Sequence, residues 1–508
     1  MSPSPVIPPS CEENRTLADN VHPGDWVNPE PAHRYNLVII GAGTAGLVCA
    51  AGAAAVGAKV ALIEHHLLGG DCLNFGCIPS KGIIRPGRAI HEARQSGRFG
   101  VTGTDGLNID FERAMAWMRG IRAEISPHDS ARRFRDELGV DLFFGTGRFI
   151  APDAVDVEGA TLRFARGAVC TGARAARLPI PGFEEAGCLT NETVFSLAGL
   201  PKRLTVIGGG PIGCELAQTF ARFGSRVTVI EHMGHILARD DRDAAEIVQK
   251  SMARDGVEFC LNARVIGVSR RDSDRVITVE RNGERFELAA DEILVGIGRT
   301  PNVEGLGLEA AGIRYDPRDG IQVDEHLRTT NPHVFAAGDI CSPLKFTHNA
   351  DTQARILVAN ALFGRRQKAT TATIPWCTYT DPEVAHIGLD APAAGERGIP
   401  LQTLTVPLTD IDRALLDGEA EGFARVHLKK GTDTIVGATI VARHAGEMIS
   451  ELTLAMSVGL GLSAIGRTVH PYPTQAEAVR KLADVYNRTR LTPFVKRVLE
   501  TWLKWQRR

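Results

Sequence analysis

A glycine pattern that occurs twice constrains the fold of this chain more than any other feature. In each copy an apolar run enters G-x-G-x-x-G, and a helical stretch and a second apolar run follow. The first copy spans residues 35–64 and the second 203–231, and each ends in a glutamate. This order, found twice, indicates two βαβ units of the dinucleotide-binding type and therefore an α/β fold. The glycines are Gly41, Gly43, Gly46, Gly208, Gly210 and Gly213, and the glutamates are Glu64 and Glu231.

Each position of the pattern has a physical task in such a unit. The first glycine makes a tight turn, the second lets the backbone approach a pyrophosphate, and the third lets helix and strand pack closely. The pyrophosphate lies on the helix N-terminus, and the glutamate accepts hydrogen bonds from a ribose diol. For either copy taken alone, the alternative to nucleotide binding is a set of glycine turns in an α/β sheet that binds no ligand. A carboxylate at Glu231 would repel a 2′-phosphate, which favours NADH over NADPH, although the nearby His232 and Arg226 would weaken that preference.

A pair of cysteines follows the first unit at a short interval. Cys72 and Cys77 stand five positions apart, with a glycine before the second and Pro-Ser-Lys after it. The spacing is too wide for a thioredoxin-type motif, and no second Cys/His pair follows at zinc spacing. Two thiols held close on one turn can cycle between dithiol and disulfide. The alternative is two buried, unreactive cysteines, but the adjacent nucleotide motif favours a redox pair beside a redox cofactor.

Composition excludes several classes of protein. A length of 508 residues suggests about three domains, and a net charge of −2 gives no electrostatic footprint for nucleic acid. Ten cysteines are too sparse for a disulfide scaffold, and no secretory signal opens the chain. We therefore expect the protein to reside in the reducing cytosol, where a disulfide is usually catalytic. Residues 37–58 carry no charge, but their glycines fall on the nucleotide pattern, so a membrane span is not expected there.

The amino-acid composition and the predicted secondary structure change towards both ends of the chain. Residues 1–33 are rich in proline and polar side chains, which predicts a flexible leader. After about residue 370, strand-like runs at 422–428 and 434–441 precede helical stretches near 447–460 and 475–486. This order predicts a separate α+β domain.

Several further motifs give the chain a family resemblance. The segment 69–81, G-G-D-C-L-N-F-G-C-I-P-S-K, resembles the redox-disulfide helix of the flavoprotein pyridine nucleotide-disulfide oxidoreductases, which include mercuric reductase and dihydrolipoamide dehydrogenase. C-T-G at 170–172, G-R-T-P-N at 298–302, V-F-A-A-G-D at 334–339 and D-P-E at 381–383 resemble other motifs of that family. The resemblance covers about residues 34–490.

The resemblance implies three folded domains. Residues 34–180 and 287–365 would bind FAD, residues 181–286 would bind NAD(P), and residues 366–490 would form a dimerisation domain. Cys77 would be the flavin-proximal thiol, and Cys72 would be the interchange thiol that faces the substrate. Lys81 would pair with Glu215 beside the flavin. The remaining cofactor-binding positions implied by the motifs are Thr44, Ala45, Gly70, Asp71, Gly147, Thr171, Gly172, Gly298, Arg299, Gly338 and Asp339.

The resemblance breaks near the C-terminus. Dithiol-reducing members carry H-P-T-x-x-E, in which a histidine from the partner subunit acts as acid and base. Here Tyr472 occupies the position five residues before Glu477, and His470 lies two residues earlier. A phenol with a pKa of about 10 is a poor base at neutral pH. Dithiol exchange should then lose a contribution of roughly 10²–10⁴-fold, unless His470 replaces the missing base. Mercuric reductase is similar in having a tyrosine at this position, where the residue helps to handle the metal. The alternative role for Tyr472 is packing at the subunit interface.

The segment after residue 490 is a further departure. Thr492 and Pro493 predict a helix start, and residues 491–508 combine an apolar stripe with basic flanks. Such a helix suits either an anionic membrane surface, a membrane-bound partner, or packing across the dimer. The last cysteine is Cys377, so the C-terminal cysteine pair of mercuric reductases is absent.

Together these observations predict a homodimeric, cytoplasmic FAD enzyme, with peripheral membrane association through 491–508 as an added option. NAD(P)H would reduce FAD, and FAD would reduce the Cys72–Cys77 disulfide. The acceptor would be a metal ion or a membrane-associated or quinone-like oxidant, and not a dithiol cofactor. No resident metal site is expected. One alternative is disulfide reduction of the dihydrolipoamide dehydrogenase type with His470 as base. A second is a flavin-bound redox sensor that docks a partner and is not an enzyme.

Overall fold

The computed structural model describes residues 5–104 and 106–507 and divides them into two compact units. The first unit comprises the chain up to Gly234 together with Gly256–Ala372, and the second comprises His235–Asp255 and the chain from Thr373. The helices in chain order are α1 (Glu12–Val21), α2 (Thr44–Ala55), α3 (Gly70–Asn74), α4 (Cys77–Gln95), α5 (Phe111–Ile125), α6 (Phe183–Ala186), α7 (Pro211–Phe223), α8 (Arg242–Arg254), α9 (Thr347–Phe363), α10 (Ala391–Glu396), α11 (Asp412–Leu416), α12 (Ala445–Ser457), α13 (Leu462–Arg467), α14 (Glu477–Arg490) and α15 (Pro493–Gln506).

Twenty-three strands are assigned among the described residues. In chain order they are β1 (Tyr35–Ile40), β2 (Val60–Glu64), β3 (Asp141–Phe144), β4 (Arg148–Ala151), β5 (Ala154–Val157), β6 (Ala160–Val169), β7 (Ala173–Ala175), β8 (Arg203–Ile207), β9 (Arg226–Ile230), β10 (Val257–Cys260), β11 (Ala263–Arg271), β12 (Asp274–Arg281), β13 (Glu284–Ala290), β14 (Glu292–Val295), β15 (Arg299–Pro301), β16 (Tyr315–Asp316), β17 (Gly320–Ile321), β18 (Val334–Ala336), β19 (Trp376–Thr378), β20 (Glu383–Gly388), β21 (Leu401–Pro407), β22 (Phe423–Lys429) and β23 (Ile435–Ala442).

Two parallel sheets in the first unit carry the repeated nucleotide pattern. The first has the order β3-β2-β1-β6, with β18 parallel to β6 and the antiparallel strands β5 and β4 continuing the sheet. The second has the order β10-β9-β8-β14 and is parallel throughout. Each glycine pattern lies between the first strand and the first helix of its sheet. The prediction of two βαβ units in an α/β fold is therefore confirmed.

Two features of the structure differ from the sequence-based prediction of domain limits. β14 pairs in parallel with β8, so the second nucleotide fold continues past residue 286. α8 lies within the predicted nucleotide-binding range but belongs to the second unit. The reason is a set of polar contacts to the C-terminal chain, in which Arg425 pairs with Asp241 at 3.1 Å and Ser251 donates to the carbonyl of Asp381.

The leader prediction was wrong for the described part of 1–33. Residues 12–21 form α1, and its Leu17 and Val21 are fully buried in the same core as Leu37 and Ile39 of β1. Further along, the side chain of Asn28 accepts a hydrogen bond from the backbone of Phe144 and donates one back to it. Buried apolar contacts and paired backbone groups fix this segment, which its polar composition alone did not indicate. Residues 1–4 lie outside the described residues.

The second unit is built on one antiparallel sheet with the order β19-β20-β23-β22-β21. Helices α12, α13 and α14 supply the apolar side chains that complete its core. The predicted α+β domain is confirmed. α15 follows with Thr492 as N-cap, whose hydroxyl accepts from the backbone N–H of Val495, and the helix has no buried residue. Arg508 lies outside the described residues.

Candidate functional site

The first glycine loop leaves space in front of the N-terminus of α2. A Cβ on Gly46 would lie 1.8 Å from the carbonyl oxygen of Gly41, so this position requires glycine for packing. A Cβ on Gly43 would meet no atom nearer than 3.7 Å, the Cα of Gly70. Packing therefore does not explain the glycine at 43. The open space lies where Thr44 and Ala45 begin the helix, which fits the pyrophosphate of a dinucleotide.

The second glycine loop repeats this geometry. A Cβ on Gly213 would lie 2.0 Å from the carbonyl oxygen of Gly208, whereas one on Gly210 would meet nothing nearer than 3.9 Å. α7 begins at Pro211, immediately after the open position. The residues of both loops thus fit a bound dinucleotide in the same way.

Each glutamate that ends a second strand braces its own glycine loop. Glu64 accepts from the backbone N–H of Ala42 at 2.7 Å and of His66 at 2.7 Å. Glu231 accepts from Gly209 at 2.6 Å and from Met233 at 2.9 Å. The glycine pattern alone did not predict this bracing role. A carboxylate oxygen has more than one lone pair, so acceptance of a ribose hydroxyl is compatible with it.

Both glutamates are buried, and a histidine follows each of them. His65 lies 3.2 Å from Glu64, and His232 lies 2.7 Å from Glu231. Burial alone would raise the pKa of Glu64, but the hydrogen bond and charge of His65 and the two backbone N–H groups hold the pKa below its usual value. The anion is thus retained next to the loop, where it holds the turn in place.

The two cysteines face each other across the turn between α3 and α4. Both are free thiols, and Cys77 also contacts the hydroxyl of Thr347 at 3.4 Å. A hydrogen bond from Cys72 lowers the pKa of Cys77, aided by Thr347 and by the charge of Lys81, whereas the same pairing and burial raise the pKa of Cys72. Of the two, Cys77 is therefore the thiolate and Cys72 the donor.

An ion pair lies one helical turn beyond Cys77. The ammonium of Lys81 lies 2.7 Å from the carboxylate of Glu215, whose side chain is only 6% exposed. Lys81 belongs to α4 and Glu215 to α7, so the pair joins the cysteine helix to the helix of the second nucleotide fold. The sequence-predicted pairing of these two residues is present in the structure.

A second charged cluster joins the remaining motifs of the first unit. Arg299 lies 3.0 Å from Asp71 and 3.5 Å from Asp339, and its side chain is 12% exposed. Asn191 donates to Asp71 at 2.9 Å, and this asparagine had no signal in the sequence. Burial raises the pKa of Asp339 despite the nearby Arg299 and Lys345. The cluster brings together three predicted cofactor residues.

The other predicted cofactor positions are turns and close approaches of the backbone. The Thr171 hydroxyl donates to the carbonyl of Asn302 at 2.9 Å, and the N–H of Gly338 donates to Gln353 at 2.8 Å. A Cβ on Gly147 would press on Ile40 and Ile63 at 3.2 Å. Three further glycines adopt positive φ, and these are Gly70, Gly172 and Gly298.

The predicted residues of the second unit form two separate pairs. The Tyr472 hydroxyl donates to Asp412 at 2.9 Å, and the side chain is 69% exposed. The hydrogen bond and charge of Asp412 raise the pKa of Tyr472. His470 lies 2.9 Å from Glu451 and is nearly buried, with 8% of its side chain exposed.

Glu477 does not contact His470 within the part of the chain that is described. It pairs instead with Arg480 at 3.4 Å and Lys481 at 3.7 Å on its own helix. The carboxylate that orients His470 is Glu451 on α12, which no local pattern predicted because the two residues are 19 positions apart. Among the described residues, no group of three or more His, Cys, Asp and Glu side chains could hold a metal ion.

Comparison with known protein families agrees with the two nucleotide-binding loops and the cysteine pair described above. The profile of the pyridine nucleotide-disulphide oxidoreductase family matches residues 35–354, and that of its dimerisation domain matches residues 374–483. The chain belongs to this family. The two nucleotide folds accordingly serve FAD and NAD(P)H, the protein is an NAD(P)H-dependent flavoprotein oxidoreductase with a redox disulfide, and the second unit supports a homodimer.

Curated relatives carry two activities. The chain is 33% identical over 454 residues to mercuric reductase of Bacillus cereus, covering 89% of this chain and 72% of that protein. It is also 33% identical over 458 residues to dihydrolipoyl dehydrogenase of Thermus scotoductus, covering 89% and 98%. Identity at this level does not distinguish the two substrates.

Solved structures give the same fold. The Cu(II) complex of the HOCl-induced flavoprotein disulfide reductase RclA from Escherichia coli is 29% identical with a TM-score of 0.78, over 88% of this chain and 98% of that one. LpdA from Mycobacterium tuberculosis is 26% identical with a TM-score of 0.81, over 90% and 100%. Among the described residues, no helix has the length and apolar character needed to cross a membrane.

The hydrogen bond between the cysteines leads to a test by alkylation. In Cys72→Ala the donor is lost, so the pH midpoint for iodoacetamide alkylation of Cys77 should rise by about one pKa unit. Mass spectrometry of the reduced holoenzyme across a pH series measures this midpoint. Cys188→Ala, a half-buried cysteine elsewhere in the first unit, should leave it unchanged. An unshifted midpoint in Cys72→Ala would contradict the assignment of Cys77 as the thiolate.

Proposed function

We propose that the protein uses NADH to reduce a soft metal ion or another small oxidant through Cys72 and Cys77, and that a dithiol cofactor is not its substrate. The observation that carries this proposal is Tyr472, which occupies the base position and is hydrogen-bonded to Asp412. Because the pKa of this phenol lies above its ordinary value, it does not accept a proton at neutral pH. A soft metal ion needs no such base, because its binding to a thiol sulfur itself releases the proton.

Each proposed role follows from a contact in the first unit. Bound FAD supplies the two-electron relay between nicotinamide and sulfur. Lys81 keeps a positive charge near Cys77 because the buried Glu215 holds its ammonium at 2.7 Å. Cys77 carries the thiolate, while Cys72 keeps its proton and is the thiol that meets the acceptor. Arg299, Asp71 and Asp339 fix the loops that hold the cofactor.

The reaction at sulfur balances with a metal as acceptor. Oxidation of the Cys77 thiolate and the Cys72 thiol to the disulfide releases two electrons and one proton, which passes to solvent. These electrons reduce one Hg(II) to the metal or two Cu(II) ions to Cu(I). Mercuric reductase is among the relatives, and a relative of known structure is described as a Cu(II) complex. Both names support a soft metal ion as the acceptor here.

One observation favours a second candidate, disulfide reduction of the dihydrolipoyl dehydrogenase type. His470 is nearly buried and is held by Glu451 at 2.9 Å, as a histidine acting in acid–base catalysis would be. In that case His470, two residues from the usual position, would serve the interchange thiol.

Matched variants separate the two candidates. His470→Ala should leave NADH-dependent reduction of Cu(II) or Hg(II) within about twofold of wild type. Tyr472→Phe should lower it about tenfold, because the resemblance to mercuric reductase implies that this phenol contacts the metal ion. Steady-state rates with each metal and with lipoamide measure the effects. The second candidate would be correct if three results were found together. Lipoamide turnover would exceed metal turnover, it would be abolished in His470→Ala, and it would be retained in Tyr472→Phe.

The preference for NADH rests on Glu231. Its carboxylate is buried at the end of β9 and held by the N–H groups of Gly209 and Met233, so it is fixed where the ribose of the second nucleotide would lie. A 2′-phosphate there would meet a negative charge. His232 contacts the same carboxylate at 2.7 Å and reduces this repulsion only when it is protonated.

Glu231→Gln tests the preference while keeping one of the two oxygens that accept backbone N–H groups. The ratio of kcat/KM for NADH to that for NADPH should fall about tenfold, which corresponds to about 1.4 kcal/mol. Glu258→Gln, at an exposed position of β10, is the control and should leave the ratio unchanged. An unchanged ratio in Glu231→Gln would show that another residue sets the preference.

We further propose that α15 docks on an anionic membrane surface. Its apolar side chains are all exposed and include Trp502 at 54% and Trp505 at 65%. Residues 487–508 contain seven Lys or Arg and one Glu, although the whole chain has a net charge of −2. An amphipathic helix with a basic polar face and interfacial tryptophans binds anionic lipid.

Vesicle binding by the full-length holoenzyme tests this surface. The enzyme should co-sediment with phosphatidylcholine vesicles that contain phosphatidylglycerol but not with pure phosphatidylcholine. Trp502→Ala/Trp505→Ala should weaken binding at least about tenfold, because burial of each indole contributes more than 1.4 kcal/mol. Trp117→Ala, exposed on α5, is the matched control. Dissociation of the dimer in the double variant, with no vesicle binding by the wild type, would assign the helix to the subunit interface.

A further inference from the structure

A buried arginine lies beside the cysteine turn and forms no salt bridge with a carboxylate among the described residues. Arg122 of α5 is 2% exposed. One Nη donates to the carbonyl of Asn74 at 2.9 Å, and the other donates to the amide oxygen of Asn14 at 2.6 Å. Burial lowers the pKa of Arg122 to about 10, with Arg119 adding to the effect. A buried cation held only by neutral acceptors is costly, so its position needs an explanation.

The carbonyl that Arg122 holds lies between the two cysteines. Asn74 is the last residue of α3, two positions after Cys72 and three before Cys77. The next carbonyl, that of Phe75, accepts from Asn191 at 3.2 Å. Two successive carbonyls at the end of α3 are thus held by side chains from elsewhere. These bonds fix the path of the backbone that sets the separation of the two sulfur atoms.

Asn14 places the leader helix in the same network. It is 2% exposed, and its amide N–H donates to the carbonyl of Pro9 at 2.8 Å. α1 is docked independently by the burial of Leu17 and Val21 and by a 2.8 Å hydrogen bond from Asn20 to Ser126. The family profile begins only at residue 35, so this contact is made by a segment outside the matched region.

We propose that Asn14 and Arg122 are positioning residues for the redox turn. Asn14 orients the guanidinium, and the guanidinium holds the Asn74 carbonyl so that Cys72 stays within hydrogen-bonding reach of Cys77. The leader helix therefore contributes to the chemistry of the thiols without touching them. This inference rests on the proposed role of the Cys72–Cys77 pair.

Three variants of α1 test the relay in the full-length holoenzyme. In Asn14→Ala, the pH midpoint for alkylation of Cys77 should rise, and NADH-dependent reduction of Cu(II) should fall about tenfold, because a small displacement of reacting groups lowers rates steeply. Reduction of ferricyanide, which bypasses the thiols, should change less than twofold. Asn14→Asp keeps an oxygen acceptor for Arg122 and should restore both values. Asn20→Ala removes the other polar contact of α1 and should leave both unchanged.

The outcomes separate this inference from the proposed function. A wild-type enzyme whose NADH-reduced thiols do not alkylate would overturn the role of the pair itself, whatever the variants show. Normal wild-type behaviour with an unchanged midpoint in Asn14→Ala would overturn only the relay, as would equal losses in Asn14→Ala and Asn20→Ala. If Asn14→Ala does not retain flavin, Arg122→Lys provides the test of the relay. Lysine keeps the positive charge but lacks the planar guanidinium that bonds both Asn74 and Asn14. Wild-type values in that variant would overturn the relay.

Discussion

The contact between Lys81 and Glu215 is the constraint on which the rest of the first unit depends. α4 begins at Cys77, and α7 begins at the second glycine loop, so one ion pair relates the thiols to the second nucleotide fold. The two helices also pack closely, since a Cβ on Gly87 would lie 3.3 Å from Thr219. Burial of a carboxylate such as Glu215 is costly without a nearby cation, and removal of one member of a buried ion pair is strongly destabilising. The pair thus stabilises the fold and places a positive charge beside Cys77 at the same time.

The second constraint is the glutamate that braces each glycine loop. The third position of each loop requires glycine because the carbonyl of the first glycine lies against it. The turn also exposes backbone N–H groups, and these need hydrogen-bond acceptors. Glu64 and Glu231 supply them in the two folds with the same geometry. The duplication visible in the sequence therefore extends to the polar contacts that brace each loop.

Local patterns in the sequence predicted the parts of the fold that depend on neighbouring residues. The apolar runs before the glycine patterns gave β1 and β8 with correct limits, and Thr492-Pro493 gave the start of α15. Contacts between distant residues could not be predicted in this way. α1 has only a few apolar side chains, and its burial depends on a core formed by β1 and α2. β14 joins its sheet by pairing with a strand 88 residues earlier, and the partner of His470 comes from α12.

The candidate site shows the same division between local and distant signals. The cysteine motif, Lys81 and the glycine loops were evident because their chemistry requires fixed spacing. Asn14, Arg122 and Asn191 had no spacing that would single them out, yet two of them hold consecutive carbonyls between the cysteines. Thiol reactivity depends on the distance between the two sulfur atoms and on the charge nearby. In this chain those quantities are set by side chains from the leader, from α5 and from the segment before β8, so the motif alone specifies the reacting atoms but not their reactivity.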